Sequence, residues 1–353
     1  MGKKTRQIQV GGVAIGGGAP ICVQSMTNTR TADVERTLEQ INRLHQAGCD
    51  IVRLTVPDLE SARAFGKIRR QSPLPLVADI HFDYKVALAV AEEGADKIRI
   101  NPGNIGGPER VRAVADACRS RGIPIRIGVN GGSLERELLA KYGAPTAEAL
   151  VESALGHIRL LEDCGFEDIC VSLKSSDVGT NIQAYRLMHQ RTDFPLHLGV
   201  TEAGTRYMGT LKSAAAFGAL LLDGIGDTVR VSLTADPVEE VVAAKAILKA
   251  LGLNEQGATL VSCPTCGRTR VDLIPIAEEV ERRLAPLKSR ITVAVMGCAV
   301  NGPGEAREAD LGVACGIEEG LLFAKGQVLG KVPAGQIVDA LCEQVRLLTG
   351  ETV

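Results

Sequence analysis

Cys263-Pro-Thr-Cys266 and, further on, Cys298 in the run Gly297-Cys-Ala-Val-Asn-Gly-Pro-Gly-Glu305 bring three thiols and a carboxylate to the end of the chain. Three thiolates can hold three corners of a cubane iron–sulfur cluster. A carboxylate such as Glu305 is a weaker fourth ligand, which leaves one iron able to exchange it for a substrate oxygen. The glycines around Glu305 let backbone approach a bulky cofactor closely. A zinc ribbon needs a second close ligand pair, which Cys298 lacks, and a radical-SAM cluster needs three cysteines in one short loop. Cys315 is the rival fourth ligand, for an all-cysteine cluster or a structural zinc. Cys22, Cys49, Cys118, Cys164, Cys170 and Cys342 read as small buried hydrophobes.

A second set of residues falls at the ends of short β-branched runs. Arg53 and Thr55, Asp79 and His81, Arg99 and Asn101, Arg126 with Asn130 and Ser133, Lys174, His197 with Glu202, and Arg230 with Ser232 recur in this position. Residues two apart on a strand share a face, so Asp79 with His81, Arg99 with Asn101, and Arg230 with Ser232 can each face the lumen together. Four arginines and a lysine converging on one mouth repel each other when it is empty, and planar guanidinium forks suit phosphate oxygens. The plainer reading has individual arginines paired with carboxylates of the rim. His81 beside Asp79 suits proton transfer or hydrogen bonding. His197 is open between core and site. Glu202 is a candidate acid or base, or a partner for Lys174.

Those ends belong to a repeating unit of strand, polar tip, amphipathic helix, then Gly or Pro. The strand runs are Ile21–Ser25, Ile51–Val56, Leu74–His81, Lys97–Asn101, Ile123–Val129, Asp168–Leu173, Leu196–Val200 and Thr228–Leu233. Gly48, Gly94, Gly122, Gly165 and Gly252 mark helix stops, and Pro108 opens a helix. Eight such units predict an α/β fold with a (β/α)8 TIM-type barrel, whose chemistry sits at the strands' C-terminal ends; an open doubly wound sheet is the runner-up. Residues 7–15, with Gly11-Gly12 at the turn, predict a hairpin plugging the barrel's bottom. After residue 253 the rhythm breaks. A smaller α+β domain is expected over 258–353, with a helix at Asp272–Leu284, strands at Ile291–Met296, Leu311–Ala314 and Leu321–Ala324, and a last helix bearing Ile337, Leu341, Val345 and Leu348. The barrel domain takes 1–253.

The bulk composition narrows the class. A length of 353 residues suits two domains, and 45% apolar content suits a globular protein with no span-length apolar run. Ten cysteines without a signal-peptide core predict a reducing, cytoplasmic setting. A net charge of −2, with four Tyr, six Phe and no Trp, argues against nucleic acid as partner. Two other readings fit the residues: a redox-neutral sugar-phosphate aldolase or hydrolase with a zinc lobe, and a non-catalytic metal-binding module fused to a barrel.

Across essentially its whole length the sequence resembles the 4-hydroxy-3-methylbut-2-en-1-yl diphosphate synthases, penultimate enzymes of the non-mevalonate isoprenoid pathway. The motifs are Gly16-Gly-Gly-Ala-Pro-Ile-Cys-Val-Gln-Ser-Met-Thr-Asn-Thr29, Ala78-Asp-Ile-His-Phe-Asp83, Ile98-Arg-Ile-Asn-Pro-Gly-Asn104, Ile125-Arg-Ile-Gly-Val-Asn-Gly-Gly-Ser-Leu134 and Gly199-Val-Thr-Glu-Ala-Gly204. Most specific are Cys263-Pro-Thr-Cys-Gly-Arg-Thr269 and the run from Gly297 to Glu305. The chain looks like the compact two-domain bacterial form.

The resemblance implies a [4Fe–4S] cluster on Cys263, Cys266, Cys298 and Glu305, in a domain of the sulfite/nitrite-reductase type. It implies reductive ring opening of 2-C-methyl-D-erythritol 2,4-cyclodiphosphate, with reduced flavodoxin or ferredoxin as electron donor. It also implies a homodimer in which one subunit's cluster domain closes over its partner's barrel. On that reading Arg53, Arg99, Arg126, Lys174 and Arg230 hold the diphosphate, with Asn101, Asn130, Ser133 and Ser232 as neutral donors. Asp79, His81, His197 and Glu202 are the candidates for protonation or for orienting the C3 hydroxyl.

Overall fold

The structure, a computed structural model, describes residues 4–254, 256–298 and 308–353. The chain divides into two compact units, Met1–Leu253 and Asn254–Val353.

The first unit opens with the hairpin β1 (Ile8–Val10) and β2 (Val13–Ile15), turning at Gly11-Gly12 as the dipeptide predicts. Its Ile8, Val10 and Ile15 pack on Cys22, Ile51, Val77 and Cys170, near the N-terminal ends of four barrel strands. The bottom of the barrel is therefore sealed by an apolar plug.

Eight parallel strands follow: β3 (Cys22–Met26), β4 (Ile51–Thr55), β5 (Leu76–Asp79), β6 (Lys97–Ile100), β7 (Ile125–Asn130), β8 (Ile169–Lys174), β9 (His197–Leu198) and β10 (Thr228–Val229). The helices are α1 (Val34–Gln46), α2 (Leu59–Arg69), α3 (Tyr84–Glu92), α4 (Pro108–Arg119), α5 (Arg136–Tyr142), α6 (Ala147–Glu162), α7 (Val178–Arg191), α8 (Arg206–Leu222) and α9 (Pro237–Ala250). Five of them start on an aspartate (Asp33, Asp58, Asp83, Asp177, Asp236) whose carboxylate accepts a backbone N–H of the first turn. The five glycines read as helix stops all take positive φ, from 64° to 87°. The outward face of the strands and the inner faces of the helices form one continuous apolar core.

The ladder runs β8-β7-β6-β5-β4-β3-β10-β9, and β8 meets β9 only at the bridge Val171–Leu196. Side chains of α7 stitch this seam. Tyr185 Oη donates to the His197 carbonyl (2.6 Å) and accepts from the Leu173 N–H (3.1 Å), while Asn181 Nδ2 donates to the Leu173 and Gly199 carbonyls. The last two strands are shorter than the sequence predicts: Arg230 N–H still donates to the Leu198 carbonyl of β9, but Leu233 N–H donates to the Glu240 carboxylate of α9. Arg230 and Ser232 thus sit just beyond β10. Asn101 likewise leaves its strand and starts the short 3-10 turn Pro102–Asn104.

The second unit is a five-stranded sheet in the order β11 (Ala258–Ser262), β12 (Ile291–Met296), β13 (Leu311–Cys315), β14 (Glu319–Ala324), β15 (Gln327–Pro333), parallel through β13 and antiparallel after it. Helices α10 (Leu273–Leu284) and α11 (Ile337–Thr349) cover it. Leu273, Val280, Leu284, Ile337, Leu341 and Val345 enter its core, whereas Leu348, expected on the apolar face of α11, is exposed. The edge strands β11 and β15 were not expected. Their residues are mostly solvated, so they lack the apolar run that marks a buried strand.

Candidate active site

Most TIM-type barrels fill their lumen with layers of branched aliphatic side chains. Here the plug takes the apolar role, and the lumen above it is largely polar. Paired residues of parallel strands share a face, and the register sets Met26 beside Arg53, Asp79 beside Arg99, Arg99 beside Arg126, and Asn130 beside Lys174. A cavity of about 130 Å³ opens at this level, lined by Arg53, Asp79, His81, Arg99, Arg126, Asn130, Ser172, Lys174, Thr201, Arg230 and Ser232. Nine of the sequence-derived residues, Arg53, Asp79, His81, Arg99, Arg126, Asn130, Lys174, Arg230 and Ser232, are brought together here.

Asp79 is the carboxylate on the cavity wall. Its oxygens lie 3.2 Å from Arg99 Nη1 and 3.6 Å from Arg53 Nε. Burial pushes this carboxyl up, but Arg53 and Arg99, with Arg126 behind them, outweigh that and bring it down to about 2. Asp79 is therefore ionised at neutral pH and is an orienting partner rather than a stored acid. Arg230 pairs with Glu240 of α9 at 3.2 Å, and Glu240 also accepts from Ser25 Oγ. The plainer reading of the arginines is thus realised for Arg53, Arg99 and Arg230.

The pairing does not exhaust the charge. Arg126 is buried and donates from Nη1 to Ser172 Oγ (2.8 Å), but its Nε and Nη2 have no hydrogen-bond partner among the described residues. Burial first, then Arg99, pulls its guanidinium down to about 10. Burial, with Arg53, Arg126 and Arg230 nearby, holds Lys174 well below its ordinary value. Two glycines make room for these cations. A Cβ on Gly128 would lie 2.3 Å from Arg99 Nε, and one on Gly199 would lie 2.8 Å from Lys174 Cε. A site of buried, mutually repelled cations with unspent donors is built to receive an anion.

The other sequence candidates sort by depth. His81 lines the mouth and is solvent-exposed. His197 is fully buried inside the barrel wall, with Nδ1 3.2 Å from Thr228 Oγ1, and burial plus the neighbouring cations keeps its imidazole neutral. Asn101 is buried outside the cavity wall. Ser133 and Glu202 line an adjoining cavity of about 400 Å³ that shares Asn130 and Thr201 with the first. Glu202 takes φ +50°, an unusual conformation for a non-glycine residue, which points to local constraint at this rim.

Sequence reading missed Lys97, Ser172, Thr201 and Glu240. Lys97 and Ser172 stand two residues before Arg99 and Lys174, so strand alternation could have found them. Lys97 is fully buried, and its Nζ has no hydrogen-bond partner among the described residues. Glu240 carries no such signal, since it reaches the site from a helix.

In the second unit, Cys263 and Cys298 follow the adjacent parallel strands β11 and β12, whose register pairs Ser262 with Val295. Gly297 N–H donates to Cys263 Sγ at 3.2 Å, which ties the two segments together. Cys266 is exposed, and hydrogen bonding from the Arg268 backbone holds its thiol below the usual value. Cys315 lies in the apolar core, where burial pushes its thiol up to about 11. Among the described residues no three His, Cys, Asp or Glu side chains form a ready metal set, and Glu305 lies outside those residues. Thiols at neighbouring strand ends are nonetheless the donor chemistry an iron–sulfur cluster takes.

Residues 5–245 match the GcpE TIM-barrel domain and residues 259–347 the GcpE protein C-terminal domain. The chain belongs to the GcpE family. GcpE relatives named 4-hydroxy-3-methylbut-2-en-1-yl diphosphate synthase (flavodoxin) include that of Geobacter sulfurreducens, 60% identical over 99% of both chains. That of Bacillus mycoides is 57% identical over 99% of this chain and 95% of its own. Among solved structures, a Yersinia pestis dihydropteroate synthase overlays 69% of this GcpE chain and 97% of its own with a TM-score of 0.50 at 16% identity. An N-acetylneuraminic acid synthetase from Leptospira borgpetersenii overlays 70% and 91% with a TM-score of 0.50 at 12% identity. Both speak for the barrel fold alone. Among the described residues no helix is long and apolar enough to cross a membrane.

Proposed function

We propose that the chain carries out the reaction for which its relatives are named, making (E)-4-hydroxy-3-methylbut-2-en-1-yl diphosphate from 2-C-methyl-D-erythritol 2,4-cyclodiphosphate. The observation that carries this reading is the buried cationic mouth, where Arg126 has donors left over and a lone Asp79 sits among cations. With the phosphates ionised, two electrons and one proton are consumed. The ring C–O bond at C2 breaks toward phosphate, the C3 hydroxyl leaves as water, and a C2–C3 double bond forms.

Arg53, Arg99, Arg126, Lys174 and Arg230 hold the diphosphate, with Ser232 and Asn130 as neutral donors. Asp79 fixes Arg53 and Arg99 in place through its two ion pairs. His81 and Glu202, at the mouth and its adjoining cavity, are the groups placed to orient the C3 hydroxyl or supply the proton. Ser133 is a further neutral donor in the adjoining cavity, while Asn101 and His197 act from the wall rather than on the reacting carbons.

Cys263, Cys266, Cys298 and Glu305 hold a [4Fe–4S] cluster, in an α+β unit of the sulfite/nitrite-reductase type. When bound, that cluster supplies single electrons and a Lewis-acidic iron. Reduced flavodoxin is the donor, and the enzyme works in the cytoplasm as a homodimer that brings one subunit's cluster domain to its partner's barrel.

Anaerobic purification followed by turnover with reduced flavodoxin tests the reading. A brown protein with about four irons per chain that forms the allylic diphosphate is expected. A colourless zinc protein, or an iron protein inert toward the cyclic diphosphate, would overturn it.

A further inference from the structure

Two loops border the mouth: Asn101–Asn104 after β6, and the stretch after β7 that carries Ser133. One side chain that touches neither cavity ties them together. His157 sits on α6, whose Leu150, Ala154, Ile158 and Leu161 are rooted in the barrel core. Gly103 N–H donates to His157 Nδ1 at 3.2 Å, and His157 Nε2 lies 2.9 Å from Glu135 Oε1, two residues past Ser133. Ser153 Oγ donates to the same carboxylate oxygen at 2.9 Å.

Only one protonation pattern satisfies both contacts. An N–H aimed at Nδ1 needs a lone pair there, so the proton must sit on Nε2, where the carboxylate accepts it. Burial pushes His157 below its ordinary value against the upward pull of Glu135, which agrees with a neutral ring. The approach leaves no room for a side chain at position 103: a Cβ on Gly103 would fall 2.6 Å from His157 Cε1. Asn104 N–H donates to the Asn101 carbonyl at 2.8 Å, so fixing Gly103 fixes the turn that holds Asn101.

We propose that His157 is a positioning residue that latches the loop after β6 to the loop after β7 and thereby sets Ser133 beside the substrate mouth. This rests on the reading of that mouth as the diphosphate site. The latch stands on a helix, where geometry is held more firmly than on a loop.

The test uses the full chain, with ¹⁵N spectra of the histidine ring and calorimetric titration with 2-C-methyl-D-erythritol 2,4-cyclodiphosphate. The wild type should show the proton on Nε2 of His157. H157L should raise Kd and KM about tenfold while leaving kcat within about twofold, as expected for lost substrate positioning. H157Q, which keeps one acceptor and one donor at similar reach, should restore most of the affinity. G103A, with His157 intact, should reproduce H157L and covers the case in which H157L fails to fold. A folded H157L or G103A with unchanged Kd, no recovery in H157Q, or a proton on Nδ1 would each overturn the latch. R126A separates the two levels. If it loses binding while H157L does not, the latch alone fails; if it too binds normally, the anion site falls and the latch with it.

Discussion

The barrel mouth and the cysteine-bearing end of the second unit handle reactive groups in opposite ways. At the mouth the fold itself holds charges together: four strands of the barrel fix Arg53, Arg99, Arg126 and Lys174 against their mutual repulsion, and Asp79 and Glu240 offset part of it. At the end of the second sheet Cys263 and Cys298 follow two adjacent strands, while Cys266 stays exposed. The first arrangement is preorganised for an anion. The second is donor chemistry that a bound metal would tighten, since ligation free energy can complete a site the apo fold only sketches.

Substitution at Cys263 gives the sharpest break between the two regions. C263A should lose more than about a hundredfold in iron-dependent turnover and most of its iron, as expected for a lost ligand. Its affinity for inorganic pyrophosphate should stay at the wild-type level. A parallel loss of pyrophosphate binding would erase the distinction between the sites.

D79N should come next in size. Removing one partner of a buried ion pair costs about 3–5 kcal/mol, because the arginines are left uncompensated. Chemical denaturation would measure this, and added pyrophosphate should recover part of it. The pH dependence has a defined sign. Asp79 lies at about 2 in the folded chain, below its ordinary value, so its contribution is complete above about pH 4 and is lost as pH falls toward 2. D79N should therefore flatten the acid limb of the stability curve.

Y185F probes the frame rather than the charges. It leaves the Leu173 N–H and the His197 carbonyl without their bridging hydroxyl at the seam, a cost of about 1–3 kcal/mol. Equal stability of Y185F and wild type would mean that the seam closes without it. The smallest effect is protonic. Burial and neighbouring cations hold Lys174 well below its ordinary value, and a bound anion raises it again. Pyrophosphate binding should thus take up a fraction of a proton, seen as a dependence of calorimetric heat on buffer ionisation enthalpy. Heat independent of the buffer would leave Lys174 charged in the free chain.

Much of this was legible in the chain. The eight β-branched runs, the hairpin turn at Gly11-Gly12 and the helix-stopping glycines are local preferences; an open doubly wound sheet shares the alternation, and the count of eight favoured the barrel. Alternation along strands predicts that Asp79 with His81, and Arg230 with Ser232, share the lumen, as they do, whereas Asn101 does not join Arg99 on the cavity wall. Edge strands β11 and β15 escaped because solvated strands carry no apolar run. Leu348 was assigned to a buried face by spacing alone, although a helix end can turn an apolar residue to solvent without penalty.

Residue types and their periods by themselves determined the barrel, the cationic character of its mouth and the thiols of the second unit, because these follow from short-range propensity and strand alternation. Which cation meets which carboxylate was decided only by the tertiary structure. Glu240 reaches Arg230 from a helix, Asp79 is claimed by two arginines from neighbouring strands, and His157 joins two loops from behind. Such contacts depend on distances between elements remote in sequence, and no local pattern encodes them.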